Sequence, residues 1–267
     1  MRGKNRINTL RSLRFLCSKI SFDSVLLVPR GGKEEMKCIA RVVAACLFLL
    51  SMSGAGQAEE GKKEDTTYIV GLKTWTNNWK RQGPGSGIIE SSSNTLIGWG
   101  AEVLFSNRIF LEASYLMSFP YTYYIFDQTT PASERERTDF EVAIGKQFHP
   151  HIAYFFGFRS TQTMERSNNF KETVAGPFAG IRGSVSLSNA ISLFGKLTFL
   201  PLSERTVNTT SKSSEWATGW FAAAGIKYDF TRRLSASLGY QHESTEGENT
   251  DTRDTFAGPT FDVMYVF

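Results

Sequence analysis

Between Glu215 and Phe230 the chain keeps two unlike sets of residues apart by alternating them. The even positions Trp216, Thr218, Trp220, Ala222, Ala224, Ile226, Tyr228 and Phe230 are mostly apolar, with aromatics at both ends; apart from Phe221, the odd positions Glu215, Ala217, Gly219, Ala223, Gly225, Lys227 and Asp229 are small or charged. A helix, repeating every 3.6 residues, would mix these sets, whereas a strand sends successive side chains to opposite faces. The stretch is therefore a strand with one aromatic-tipped apolar face and one polar face. A short turn, Thr231-Arg232-Arg233, leads into a second alternating run, and the chain ends Phe261-Asp262-Val263-Met264-Tyr265-Val266-Phe267 in the same rhythm.

That rhythm begins after a charged segment, Glu59 to Thr66, and predicts ten strands: 67–76, 95–105, 109–119, 138–148, 152–162, 173–187, 191–201, 215–230, 234–243 and 255–267. Their connectors alternate between tight (Ser106-Asn107-Arg108, His149-Pro150-His151, Ser188-Asn189-Ala190, Thr231-Arg232-Arg233) and longer, polar stretches at 77–94, 120–137, 163–172, 202–214 and 244–254. Short turns at one end and long loops at the other are the pattern of barrels that cross a membrane. A soluble sandwich also alternates, so the two faces must decide. One face carries Ile97, Trp99, Ala101, Val103 and Phe105, or Ile152, Tyr154, Phe156 and Phe158; the other is rich in small residues such as Gly98, Gly100, Gly157, Gly176, Gly180, Gly219 and Gly225. Small residues suit the crowded interior of a narrow barrel, and a greasy outer wall suits lipid. The expected fold is all-β: a transmembrane antiparallel up-and-down β-barrel of about ten strands over residues 67–267. An even strand count puts both termini at the periplasmic end.

The N-terminal part reads as a leader. Met36-Lys37 and Arg41 supply positive charge, Val42 to Met52 an apolar stretch, and Gly56-Gln57-Ala58 the small residues of a cleavage site. This organisation predicts an upstream extension at 1–35, a signal peptide at 36–58 starting from Met36, a short periplasmic segment at 59–66 and then the barrel. Residues 1–58 hold ten Lys or Arg against three Asp or Glu, so the chain's net charge of +4 belongs to the leader and the remainder sits near −3. Nucleic acid is therefore not an expected partner. All three cysteines, Cys17, Cys38 and Cys46, precede Ala58, so no disulfide or thiol chemistry is expected in the barrel.

Strand parity turns a set of charges inward: Lys73, Glu102, Glu112, Asp139 and Glu141, Arg159, Arg182, Lys196, Lys227 with Asp229, Glu243 and Asp262. Strands two to four contribute acids and strands five to eight mainly bases, so closure would set one group against the other. Charges in a narrow barrel are costly unless paired. Phe155, Phe178 and Phe194 also point inward. The expectation is a salt-bridged, largely plugged lumen.

The terminal run, with Phe261, Val263, Tyr265 and Phe267 at every second position, resembles the C-terminal signature of bacterial outer-membrane β-barrel proteins. The resemblance implies an outer-membrane location, recognition by the barrel-assembly machinery, and outer-membrane lipid and lipopolysaccharide as surroundings. The expected role is a structural or interaction barrel, or a narrow small-solute path, without enzymatic activity. An alternative comes from Gly239-Tyr240-Gln241-His242-Glu243-Ser244, which resembles the His-x-Ser element of lipid A 3-O-deacylases and outer-membrane phospholipases. By that resemblance His242 would be base, Ser244 nucleophile, and Glu246 or Glu248 the orienter of the imidazole. Ten strands are also shared with the omptin surface proteases, but no paired-Asp plus Asp-His arrangement matches here. Asp251 and Asp254 are expected as solvated loop residues, and Tyr121, Tyr123, Tyr124 and Phe126 as a belt at the headgroups, with a loop anchor for a partner as the alternative. His149 and His151 supply two of the four ligands a metal site usually needs and read as turn residues; no metal or cofactor is expected.

Overall fold

The computed structural model describes residues 66–83, 86–91, 93–125, 133–165, 170–208 and 212–267. The predicted leader and nearly all of the 59–66 segment lie outside the described residues. The strands are β1 (Thr67–Gly83), β2 (Ser86–Ser91), β3 (Asn94–Leu104), β4 (Ile109–Ser118), β5 (Tyr121–Ile125), β6 (Ser133–His149), β7 (Ile152–Glu165), β8 (Lys171–Ser186), β9 (Ile191–Asn208), β10 (Lys212–Asp229), β11 (Leu234–Gly247) and β12 (Arg253–Val266). Each of β1, β3, β4 and β6 to β12 pairs antiparallel with its neighbours, and β12 pairs back onto β1 from Ile69↔Val266 to Gln82↔Arg253. The sheet is thus a closed ten-strand barrel with no free edge. The two short segments prolong existing staves: β2 continues β3 and β5 continues β4, joined as β1–β2–β5–β6 above the ring.

All ten predicted strands are present, and four tight turns sit at one end where expected. The longer connectors differ from expectation. Alternation runs well into them, so that β1 reaches Gly83, β6 begins at Ser133, and β9 and β10 extend to Asn208 and back to Lys212. The reason lies in what those extensions turn inward: Trp79, Tyr121, Tyr123, Arg135, Arg137 and Arg205 are all buried in the lumen. A tilted strand climbs about 2.5 Å per residue, so staves of 14–18 residues rise beyond the apolar band, about 25 Å tall, that meets lipid.

The outer wall carries the exposed hydrophobics, among them Val70, Leu72, Phe156, Leu197, Trp220, Ile226 and Leu238. The inner wall alternates glycine with ring. Phe155 pairs with Gly180 and Gly157 with Phe178 across β7 and β8. A Cβ on Gly180 would come within 2.6 Å of the Phe155 ring, and one on Gly157 within 2.7 Å of the Phe178 ring. Each glycine makes room for the aromatic beside it, and the two rings meet edge to face at 5.9 Å.

Candidate functional site

The lumen is stratified into three layers of charge. Nearest the tight turns, Arg182 on β8 donates to both oxygens of Glu102 on β3, at 2.7 and 2.8 Å, and to Glu112 on β4 at 3.2 Å. Lys196 on β9 donates to Glu141 on β6 at 2.6 Å and lies 3.7 Å from Glu112, as does Lys73. Acids of the early strands thus meet bases of the later ones across the barrel. Two predicted members behave differently: Lys227 pairs along its own strand with Asp229 at 3.0 Å, and Asp262 faces Lys73 in register on the adjacent strand.

In the middle layer Arg137 donates twice to Asp139, at 2.8 and 2.9 Å, and once to Glu243 at 3.0 Å; Arg159 closes the square with bonds of 3.1 Å to Asp139 and 2.7 Å to Glu243. Rings cover it: the Arg137 guanidinium lies 3.7 Å from the Phe256 centroid and 5.2 Å from that of Trp75, a cation–π arrangement worth most where water is excluded.

The layer nearest the long extensions joins Arg81, Arg205, Glu172 and Asp254. Arg81 donates to both Asp254 oxygens at 2.7 and 2.8 Å and to Glu172 at 2.6 Å, and the Trp79 indole N–H donates to Asp254 at 2.8 Å. Beside it Arg135 pairs with Glu165 at 3.2 Å, its guanidinium ringed by Trp79, Tyr123 and Phe170. These groups stand about 13–15 residues above the tight turns, beyond the lipid-facing band. Burial alone would raise the Asp254 carboxyl, but Arg81 and Arg205, with the Trp79 N–H, hold it below the usual aspartate range.

Space divides the same way. The turn-end half holds a cavity of about 470 Å³, bounded by Ile69, His151 and Met264 near the rim and by Trp75, Asp139 and Arg159 at its inner end. Above it, between Trp79, Arg81, Glu172, Glu243 and Asp254, the volume falls to about 20 Å³, room for about one water. The turn-end ion pairs that cross the barrel leave 11–29% of side-chain surface open; those of the middle layer leave 0–8%.

Several residues on which the plug depends fell in stretches read as loop. Tyr121 and Tyr123 are buried inward with Trp75, Trp79, Leu96 and Phe256, not set in a headgroup belt, because β5 continues the parity of β4; Phe126 lies outside the described residues. Asp254 is buried by two arginines instead of solvated. Arg135 and Arg137 lie in the stretch expected as the 120–137 connector, although Arg135-x-Arg137-x-Asp139 extends the inward parity of β6 without a break and carries the signal that places them. Arg205 has no such signal. Pro201 and Leu202 are both exposed, and the pairing to β10 slips between Ala217 and Gly219, so the inward set changes from even positions (Thr198, Leu200) to odd (Ser203, Arg205).

On the outer wall, His242, Ser244 and Glu246 line one surface groove with Phe199, Thr218, Trp220, Arg253 and Thr255. His242 stacks on Trp220 at 4.8 Å, and Glu246 accepts from Arg253 at 3.0 Å. Neither the imidazole–hydroxyl nor the carboxylate–imidazole hydrogen bond is present among the described residues. Glu248 lies beyond β11 with its backbone N–H on the Trp216 carbonyl. His149 and His151 sit 5.5 Å apart in an exposed turn, and no group of three metal-ligating side chains occurs among the described residues. Phe261, Tyr265 and Phe267 project from the outer face of β12, and the Phe267 N–H donates to the Tyr68 carbonyl at 2.9 Å.

Residues 43–267 match the family model described as outer membrane protein beta-barrel domain. Among solved structures, the outer membrane protease OmpT of Escherichia coli is similar with a TM-score of 0.51 at 10% identity, over 79% of this chain and 100% of that one. Neisserial surface protein A gives 0.39 at 10% identity, over 76% and 99% of the two chains. The attachment invasion locus protein Ail of Yersinia pestis, solved with the heparin analogue sucrose octasulfate, gives 0.33 at 11% identity, over 75% and 99%. No curated protein matches the sequence significantly. At such identities the likeness to OmpT concerns the barrel fold alone.

Proposed function

The chain belongs to the outer membrane protein beta-barrel domain family, and from that premise we propose that it serves the bacterial outer membrane as a closed, non-conducting barrel, a structural and interaction protein and not an enzyme. The observation that carries this reading is the collapse of the lumen from about 470 Å³ to about 20 Å³ behind the Arg137–Asp139–Arg159–Glu243 square. A solute path would need a continuous wet route, and ten strands make a barrel only slightly wider than the eight-stranded kind whose interior side chains can fill. In this reading the tight turns face the periplasm and the long extensions face outward.

Planar-bilayer recording of the purified protein tests the proposal: no discrete steps above the lipid background are expected, and regular ohmic channels would replace it with the small-solute path. The hydrolase alternative has less support. His242 is engaged by Trp220 and Glu246 by Arg253, so neither is disposed to activate Ser244. Incubation with phospholipid and lipopolysaccharide is expected to release no fatty acid; release abolished by Ser244→Ala would reinstate the enzyme. Lipid and lipopolysaccharide then act as the solvent of the outer wall, and Phe261, Val263, Tyr265 and Phe267 as the segment read by the assembly machinery. Deleting Phe267 should lower the heat-modifiable, assembled fraction in membranes.

A further inference from the structure

The turn-end cavity is more than leftover space. Its lining holds five basic and five acidic side chains, so it favours neither a net anion nor a net cation. Most of these charges are matched to one another, but two adjacent ones are not fully used. Lys73 has a single ion-pair contact, to Glu112, at the long distance of 3.7 Å. Asp262, its register partner across the β1–β12 seam, accepts from the Thr74 backbone N–H and the Ser237 hydroxyl but forms no ion pair within 4.0 Å among the described residues. The Lys73 stem lies flat over Gly100, where an added Cβ would come within 2.8 Å of its Cε, so the wall is cut away to let the ammonium reach the cavity. Phe194, Phe221 and Trp75 supply apolar surface in the same cavity.

From this juxtaposition we infer that the cavity is a binding site for a small zwitterion with an apolar side chain, of the amino-acid or dipeptide class, entering from the tight-turn end. Its carboxylate accepts from the Lys73 ammonium, its own ammonium donates to Asp262, and its side chain packs on the phenylalanine surface. A volume of about 470 Å³ accommodates such a solute and falls in the range of ordinary small-molecule sites. A dead-end pocket of this kind goes beyond a sealed structural barrel, giving its inner end a ligand.

Isothermal titration of the purified full chain in detergent with L-phenylalanine and with glycyl-L-phenylalanine tests it. Saturable binding of at least one probe is expected. N-acetyl-L-phenylalanine, which lacks the ammonium, and L-phenylalanine amide, which lacks the carboxylate, should each bind about 10–100-fold more weakly, the loss of one charge-assisted hydrogen bond. Lys73→Met and Asp262→Asn should reproduce those losses while keeping heat-modifiable mobility; if either fails to fold, the two blocked probes still decide. No saturable heat with either parent probe up to about 10 mM, a concentration that would reveal even millimolar affinity, would overturn the proposal, and so would blocked probes that bind as tightly as their parents. Conductance and binding are read separately, so a leaky barrel would overturn the closed-lumen reading and leave the pocket standing, and a blank titration would do the reverse.

Discussion

The two halves of the lumen use the same vocabulary, Arg or Lys against Asp or Glu with phenylalanine and glycine between, and reach opposite results. At the turn end Arg182, Lys196 and Lys73 reach across a cavity and keep part of their surface wet. In the other half the bases are all arginines, each bridging two carboxylates or held by rings, and the space between them is filled by Trp75, Trp79, Phe256 and the two tyrosines. Arginine's planar fork satisfies two acceptors at once and stacks on aromatic faces, so it can be buried where a lysine ammonium keeps some water. The difference teaches that pairing alone does not plug a barrel; pairing plus aromatic cover does.

Breaking the dry half should have the largest effect. Arg137→Leu leaves Asp139 and Glu243, both nearly fully buried, sharing Arg159 alone, and should cost about 3–5 kcal/mol of folding stability in urea titrations in detergent. Next, Trp75→Ala removes the ring between cavity and plug. It should cost about 3 kcal/mol in the same titrations and enlarge the cavity, while the intact Arg81–Asp254–Arg205–Glu172 layer above keeps planar bilayers silent. In the wet half Arg182→Leu should cost only about 1–2 kcal/mol, because water already reaches Glu102 and Glu112. On the outside, Arg253→Ala breaks a pair that is about half exposed and should change stability by under about 0.5 kcal/mol.

Acid sharpens the comparison at the far end. The folded Asp254 carboxyl titrates below its unfolded value, so its contribution is fully present above about pH 3.9 and is lost as pH falls through the folded value. Hydrogen exchange around Trp79 and Asp254 should therefore be unchanged from pH 7 to 5, once corrected for intrinsic rates, and should accelerate only as pH falls below the unfolded aspartate value of about 3.9.

The barrel itself could be read from the chain because period-two alternation with lipid-facing aromatics leaves little else for it to be. The turn-end charge set was equally accessible, since Lys73, Glu102, Glu112, Glu141, Arg182 and Lys196 all sit inside strands whose parity the outer face fixes. The plug was hidden for two physical reasons. Its polar residues lie in stretches such as Ser133-Glu134-Arg135-Glu136-Arg137, which resemble a solvated loop unless the inward parity is carried upward from Asp139. And in β9 the exposed Pro201-Leu202 pair breaks the alternation, so no parity count from below could place Arg205. The His-x-Ser pair lies on the outer wall, where His242 is held by Trp220 and the candidate orienter Glu246 by Arg253, neighbours that only the cross-strand register reveals.

Water access separates the halves most directly. With Cys17, Cys38 and Cys46 replaced by Ser, single thiols can be set at Ser114→Cys in the cavity and at Thr161→Cys beside the plug, and a charged methanethiosulfonate can be added to the folded protein. A lumen sealed in its loop-end half predicts rapid modification at position 114 and none at 161 until the barrel is unfolded. Equal, rapid modification at both positions would contradict it.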